Sequence, residues 1–242
     1  MTAVLPASIL LVVLCWSITG CATNPVTGSN DFVLMSEEQE ISLGQQYSTE
    51  ISEEMPAYRD SVLEELVQRV GNNLAQQSHR PGLDYHFTIV DSAQVNAFAL
   101  PGGYIYITRG MLAYLNSEAE LAAVLGHEIG HVTARHSVRQ QSTSAVTGIL
   151  GAVLAASTGI QGADSLTNLA GTAIVRGYGR EHELEADRLG AEYLARSGYD
   201  PEAMLKVVSV LKNQEAFEIA VAKEEGRQPN VYHGLFSTHP DN

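Results

Sequence analysis

The stretch LAAVLGHEIGH at 121–131 limits what this chain can fold into more than any other part of the sequence. An α-helix turns once in about 3.6 residues, so His127 and His131 lie one turn apart on the same helical face. Two neutral imidazoles on one face make up half of a zinc site, and Glu128 between them can take a proton from water at the metal. The pattern therefore indicates metal-assisted hydrolysis.

The residues around this motif predict that it lies on a buried helix. Ser117-Glu-Ala-Glu120 has the pattern of a capping box, which begins a helix. The apolar residues that follow are typical of a buried helix: Leu121, Val124, Leu125 and Val132. Buried imidazoles without partners are energetically costly, so we favour a metal site over the alternative, a pair of hydrogen-bonded helix histidines. His136, five residues past His131, lies off the ligand face and is expected to support a ligand or to lie at the surface.

A catalytic zinc needs a third protein ligand, and the segment REHELEADRLG at 180–190 offers candidates. Glu183 and Asp187 lie one helical turn apart. One carboxylate could bind the metal while the other accepts the N–H of a ligand imidazole. From spacing alone, a solvated acidic helix with ion pairs to Arg180 and Arg188 fits equally well.

The motif HEIGH at 127–131, followed by ELEAD at 183–187, resembles the signature of the CAAX-prenyl-protease and HtpX-like zinc metallopeptidases. The similarity covers most of the chain and includes NPVTG at 24–28, PGG at 101–103 and GYDPEAM at 198–204. Within that family the chain resembles the periplasmic lipoprotein branch.

The resemblance implies one Zn²⁺ per chain with three ligands: His127, His131 and Glu183. It also implies that Glu128 is the general base and that Asp187 supports a ligand imidazole, while Glu185 is not a ligand. A His-Pro pair near the end of the family's domain is matched at His239. His239 is therefore expected to be either a fourth, inhibitory zinc ligand or a hydrogen-bond donor to the transition state.

The first 20 residues predict a signal peptide of the lipoprotein type. The apolar run from Val4 to Ile18 is short for a membrane span but has the length of a signal-peptide core. ITGC at 18–21 resembles a lipobox, which implies a lipid on Cys21, and Ala22 implies sorting to the outer membrane. With Cys15 removed with the signal, the mature domain has no thiol for a disulfide. The alternative is an uncleaved N-terminal anchor helix.

These patterns divide the chain into three regions. Residues 1–20 form the signal peptide, and 21–35, which is rich in turn formers, forms a lipidated tether. Residues 36–242 form the zinc metallopeptidase domain. Because family members continue beyond the point that matches Asn242, we expect this domain to be cut short at its C-terminus.

The expected fold is α+β and mainly α-helical, a zincin-like metalloprotease domain with a small antiparallel sheet beside the HExxH helix. Helices are predicted from Ser36 towards Glu54 and over 62–74, and strands over 85–90 and 104–108. A last helix begins at Asp200-Pro201. Four of its residues are expected to face the core: Met204, Leu205, Val208 and Leu211.

Two segments leave alternatives open. The strand over 104–108 could pair with an extended substrate backbone by strand addition, or it could belong to an ordinary edge hairpin. The stretch from Ser142 to Ala163 carries no charge. It is expected to form loose helices that cover the active-site cleft or touch the membrane surface, and a transmembrane hairpin is the less favoured alternative.

Net charge bears on the partners. The chain has 14 Lys and Arg against 28 Asp and Glu, a formal charge of −14, which argues against binding nucleic acid. The resemblance to the metallopeptidase family implies unfolded polypeptide substrates and contact with the outer-membrane assembly machinery. The similarity to a lipobox implies a membrane attachment through the lipid on Cys21. This places the chain at the periplasmic face of the bacterial outer membrane.

The function predicted from the sequence is that of a zinc endopeptidase which degrades unfolded or misassembled envelope proteins. The substrate class follows from the resemblance alone. The first alternative is a latent or non-proteolytic periplasmic chaperone in which His239 closes the zinc site. A second alternative is a purely structural zinc, whose removal would unfold the domain.

Overall fold

The computed structural model describes residues 21–158 and 178–228 of the chain. The predicted signal peptide, His239 and the later part of the uncharged segment lie outside these residues. Within them, no helix combines the length and the apolar character that crossing a bilayer requires.

The N-terminal segment that was predicted as a tether forms a hairpin. Strand β1 (Cys21–Thr23) pairs antiparallel with β2 (Asn30–Phe32). The Asn24 side chain organises the turn, because its Oδ1 accepts hydrogen bonds from the N–H groups of Val26 and Thr27. The turn formers in this segment therefore close a hairpin, and its role as a lipidated tether stays a prediction.

The first two helices begin where their capping residues predict. Helix α1 (Glu37–Glu54) follows Ser36, whose side chain accepts from the Gln39 N–H while Gln39 accepts from the Ser36 N–H, a complete capping box. Helix α2 (Ser61–Gln76) follows Asp60, whose carboxylate accepts two N–H groups of the first turn. Both predicted helices are confirmed.

The sheet beside the metal helix is mixed, so the prediction of a wholly antiparallel sheet is wrong. Strands β3 (His86–Val90), β4 (Ala97–Leu100) and β5 (Tyr104–Thr108) lie in the order β3–β5–β4. The chain changes direction between β3 and β4 and again between β4 and β5. Strand β5 therefore runs antiparallel to β4 and parallel to β3. The sequence did not predict β4 because Ala-Phe-Ala-Leu lacks β-branched residues and runs directly into the turn at 101–103.

Helices make up the rest of the domain, and one of them forms its centre. Nearly every residue of the helix that carries the HEIGH motif is buried, because it packs against the sheet and four other helices. The remaining helices are α3 (Arg109–Tyr114), α4 (Glu118–Thr133), α5 (His136–Thr158), α6 (Arg180–Arg196) and α7 (Ala203–Glu224).

Helix α7 packs with a face that was predicted only in part. Leu211 is buried and Met204 is partly buried against the core, as predicted, whereas Leu205 is 70% exposed and Val208 is also exposed. Ala203 and Val207 are buried instead. The inward face therefore follows an i, i+4, i+8 series that begins at a small residue. Because Ala203 is only an alanine, apolar spacing in the sequence did not single it out.

Candidate metal centre

Helix α4 positions the HEIGH motif and begins at a side-chain cap. Ser117 accepts a hydrogen bond from the Glu120 N–H, as predicted. The Glu120 carboxylate, however, accepts from the N–H of Asn116 and not from that of Ser117, so only half of the capping box forms. The helix still starts at the predicted place.

Three side chains from α4 and α6 converge at the candidate metal centre. The ligand atoms of His127, His131 and Glu183 all lie within 4.8 Å of one another. Nε2 of His131 is 3.0 Å from Nε2 of His127, and the two carboxylate oxygens of Glu183 lie 3.4 Å and 3.6 Å from these nitrogens. His131 and Glu183 are each only 2% exposed. The structure thus brings together the three predicted ligands.

Glycines allow α4 and α6 to approach closely enough for this convergence. A Cβ atom at Gly130 would lie 2.9 Å from the backbone oxygen of Ala186, and one at Gly190 would lie 3.0 Å from the backbone nitrogen of His127. Real Cβ atoms essentially never make the first contact, and the second is tighter than nine in ten contacts of real Cβ atoms. The close crossing of the two helices therefore depends on glycine at these positions.

Asp187 meets His127 on the side away from the cluster, with Oδ1 2.8 Å from Nδ1. Burial lowers the pKa of His127, but hydrogen bonds to Asp187 and Glu183 and the charge of the buried Glu128 raise it to about 10 overall. The cause is a concentration of carboxylates around the imidazole. Such a site attracts a divalent cation.

The donor set fits Zn²⁺. Two imidazole nitrogens and one carboxylate are the protein ligands of several catalytic zinc sites, which keep a further position for water or substrate. The acidic surroundings and the partner on Nδ1 of His127 agree with this assignment. His239 lies outside the described residues, so its place at the fourth position stays a prediction.

His136 contacts a predicted ligand, although it lies off the ligand face of a continuous helix. It is fully buried, and its Nδ1 lies 2.8 Å from Nδ1 of His131. Helix α4 ends at Thr133, and Arg135 adopts a left-handed conformation with φ of 55°. This break turns the chain and brings His136 beneath His131, so the prediction that His136 supports a ligand fits the structure and a surface position does not.

Glu185 lies on the far side of His136. Its Oε2 is 3.0 Å from Nε2 of His136 and accepts from Arg139 Nη1, also at 3.0 Å. The hydrogen bond with His136, supported by Arg139 and opposed by burial, lowers the pKa of Glu185 to about 2. The carboxylate is therefore engaged outside the three-residue cluster, in line with the prediction that it is not a ligand.

Tyr178 is a neighbour of the site that sequence reasoning missed. Its ring stacks on the imidazole of His131 with centroids 4.1 Å apart, and its hydroxyl lies 2.6 Å from Ser137 Oγ. Together with His131, Val138 and residues 99–101, it lines a small cleft beside the cluster. No motif marks Tyr178, since its position depends on how its segment packs.

Strand β4, and not β5, is an edge strand of the sheet as far as the structure describes the chain, and it lies next to this cleft. Strand β5 is paired on both sides, so of the two alternatives left open for it, the addition of a substrate strand to β5 is excluded. Strand β4 pairs with β5 on one side and with no other strand in the ranges that the structure covers. Asn96 and Thr108 form a hydrogen-bonded pair, so by alternation the backbone groups of Ala97 and Ala99 point to the open side.

Comparisons with known proteins agree with this site. The model of peptidase family M48 matches residues 61–242. The beta-barrel assembly-enhancing protease of Escherichia coli (strain K12) is 32% identical over 227 residues, which cover 90% of this chain and 44% of that protein. The protein of the same name from Yersinia pestis is 32% identical over 204 residues, which cover 80% of this chain and 42% of that protein.

A similarity over a shorter stretch links the chain to a mitochondrial protease. The mitochondrial metalloendopeptidase OMA1 of Arabidopsis thaliana is 35% identical over 127 residues, which cover 52% of this chain and 26% of that protein. The chain thus spans less than half the length of each of these relatives.

Proposed function

The chain belongs to peptidase family M48, and on that basis we propose that it is a zinc-dependent endopeptidase that degrades unfolded or misassembled cell-envelope proteins. The observation that carries this proposal is the convergence of His127, His131 and Glu183 next to the buried Glu128. The names of its relatives, which are proteases linked to β-barrel assembly, support the envelope as the place of action.

The proposed mechanism assigns one task to each side chain. His127, His131 and Glu183 would hold the zinc, whose chemistry when bound would be to polarise the scissile carbonyl and to acidify a water molecule. Glu128 takes the proton of the attacking water and passes it to the leaving amine. Asp187 accepts the Nδ1–H of His127 and so presents Nε2 of that ring to the metal.

The substrate is proposed to bind as an added strand on β4. An extended polypeptide that pairs with this edge uses main-chain hydrogen bonds, which depend little on side-chain identity. The open side of β4 next to the cleft supports this placement. Recognition through the backbone suits unfolded proteins, because a folded chain has few strands free to pair.

The proposed location is the periplasmic face of the outer membrane. A lipid on Cys21 would attach the chain to the membrane at the first residue of strand β1. Contact with the outer-membrane assembly machinery is part of the proposal and is supported by the names of the relatives. His239 is proposed to regulate the site, either as a fourth ligand or as a donor to the transition state.

The decisive experiment is the substitution Glu128→Gln in the protein loaded with zinc. Without its general base, the variant is expected to cleave a disordered model protein about 10²–10⁴-fold more slowly than the wild type while it binds zinc stoichiometrically. Glu181→Gln, at an exposed position in the first turn of α6, is the matched control and is expected to keep wild-type cleavage.

The alternatives predict different results in the same experiment. A chaperone would hold its clients equally well with Glu128→Gln, and cleavage would be absent in the wild type. If zinc-loaded wild-type protein cleaves no unfolded substrate, even after His239→Ala, the enzyme assignment is wrong. A purely structural zinc would show itself by unfolding of the domain on chelation.

A further inference from the structure

The two ligand imidazoles differ in how the structure holds them. His127 meets a carboxylate directly, with Nδ1 2.8 Å from Asp187 Oδ1. His131 instead meets a second imidazole, with Nδ1 2.8 Å from Nδ1 of His136. A carboxylate follows one step further out, since Nε2 of His136 is 3.0 Å from Oε2 of Glu185.

Metal binding through Nε2 of His131 would fix the direction of these hydrogen bonds. Nε2 of His131 faces the cluster, 3.0 Å from Nε2 of His127, so metal binding through this atom leaves the proton on Nδ1. That N–H can donate to Nδ1 of His136 only when His136 carries its own proton on Nε2. The Nε2–H then donates to Glu185, and each contact holds one proton.

Further contacts hold the outer residues in place. Arg139 donates from Nη1 to Glu185 Oε2 at 3.0 Å, and its Nε lies 3.4 Å from Asp31 in β2. The ring of His182 stacks on that of His136 with centroids 4.3 Å apart. His136 is fully buried, so neither ring rotation nor water readily replaces these contacts.

We propose that His136, Glu185 and Arg139, called here the support network, position the His131 imidazole for metal binding. The inference rests on the proposed metal site and adds positioning residues to it. By accepting the Nδ1–H of His131, the support network keeps Nε2 directed at the metal. Outer partners of metal-bound histidines typically change metal affinity or activity about 10–100-fold when they are removed.

The test compares the zinc affinities of variants of the full chain, measured by competition with a chelating dye. His136→Phe keeps a ring of similar size but removes both hydrogen bonds, and it is expected to raise the zinc dissociation constant about 10–100-fold. His136→Gln, whose amide can accept and donate, is expected to recover most of the affinity. The control is His79→Phe, which removes a histidine that is hydrogen-bonded to Tyr193 and lies outside the metal cluster. This variant should leave the zinc dissociation constant unchanged.

A second variant and two further readouts make the test independent of folding defects at a buried site. Glu185→Ala, where the side chain is 20% exposed, should also weaken zinc binding. In both His136→Phe and Glu185→Ala, kcat should fall while KM stays unchanged, because the support network touches the ligand and not the substrate. The visible spectrum of the Co²⁺-substituted protein should change in both variants and stay the same in His79→Phe.

Wild-type zinc affinity in both His136→Phe and Glu185→Ala would overturn the inference, and so would a wild-type protein that binds no zinc. The affinity comparison decides it even if the wild-type protein cleaves no substrate. A failure of the proposed function can therefore be distinguished from a failure of the support network.

Discussion

Single residues decide how closely the two metal-binding helices approach. Gly130 lies in α4 between the two histidines and faces α6, where the nearest backbone atom would be 2.9 Å from an added Cβ.

Arg135 ends α4 in a left-handed conformation that is unusual for a residue with a side chain. Its guanidinium donates from Nε to the buried Glu40 at 2.8 Å, which helps to offset the cost of that conformation.

Gly130→Ala is expected to push α6 away from α4. The added methyl group meets the backbone oxygen of Ala186, which cannot rotate aside, so the free energy of unfolding should fall by about 1–3 kcal/mol despite the better helix propensity of alanine. Zinc affinity should fall with it because Glu183 moves away from the histidines. Denaturant unfolding and zinc titration measure both effects.

The control for this change is Gly82→Ala, in an exposed loop where an added Cβ meets nothing within 4 Å. It is expected to alter neither quantity by a comparable amount. Equal stability and zinc affinity for wild type and Gly130→Ala would contradict the role given to the close helix crossing.

At the scale of elements, β4 connects the sheet to the metal centre. Residues 99–101 line the cleft that also contains His131 and Tyr178. The strand is short, is followed directly by a 3₁₀ turn at Pro101–Gly103, and has one side free of strand partners among the described residues. A substrate strand added here would pass beside the ligands.

Ala99→Pro tests this role of β4. Proline is tolerated at edge positions whose N–H points away from the sheet, so the fold should persist while one main-chain donor for the substrate is lost. KM for an unfolded substrate is expected to rise roughly 2–10-fold, the equivalent of one hydrogen bond, with little change in zinc affinity. Ala99→Ser keeps the N–H and is the control. The same KM for both variants would show that the substrate does not pair at Ala99.

At the scale of the molecule, a buried ionic cluster joins distant parts of the chain. Glu40 of α1 is 1% exposed and accepts from Arg80 Nη1 at 2.7 Å and from Arg135 Nε at 2.8 Å. Arg80 also donates to the backbone oxygen of Val132, near the end of α4. Since paired buried charges are costly to separate, this cluster holds α1 and the α2–β3 loop against the metal helix.

The N-terminal hairpin and the residues that follow it pack against helix α5. The N–H of Leu34 donates to the buried Ser142 Oγ of α5 at 2.9 Å, and Asp31 reaches Arg139. The proposed lipid on Cys21 would therefore attach to a segment that packs on the metallopeptidase domain. The membrane attachment and the metal centre would then be held at a fixed distance.

Cys21→Ser tests the membrane attachment. The substitution leaves the backbone pairing of Cys21 with Phe32 available, so the domain should fold and keep its zinc affinity. Without the thiol no lipid can be added, so in bacteria that express the full chain labelled palmitate is expected to enter the wild-type protein and not the Cys21→Ser variant. Cys15→Ser, within the predicted signal peptide, should leave the labelling unchanged. Equal labelling of wild type and Cys21→Ser would argue against the lipid on this residue.

Local patterns predicted a large part of the fold correctly. Ser36, Asp60 and Ser117 cap helices through hydrogen bonds to residues two or three positions later, and such bonds depend on the nearby sequence alone. The same holds for the single helical turn that separates His127 from His131. The order of the mixed sheet was predicted incorrectly, and the inward face of α7 was predicted only in part, because strand order and helix packing depend on partners far away in the chain.

By itself, the sequence determined that the chain has a helix with two histidines on one face and an acidic helix further on. Only the tertiary structure decided that Glu183 faces those histidines and that Asp187, 60 residues from His127, meets its Nδ1. It also decided that His136 supports His131, because the break at Arg135 changes the helical phase. Spacing along a chain specifies directions within one helix, whereas the distance between two helices is set by the side chains, or their absence, where the helices cross.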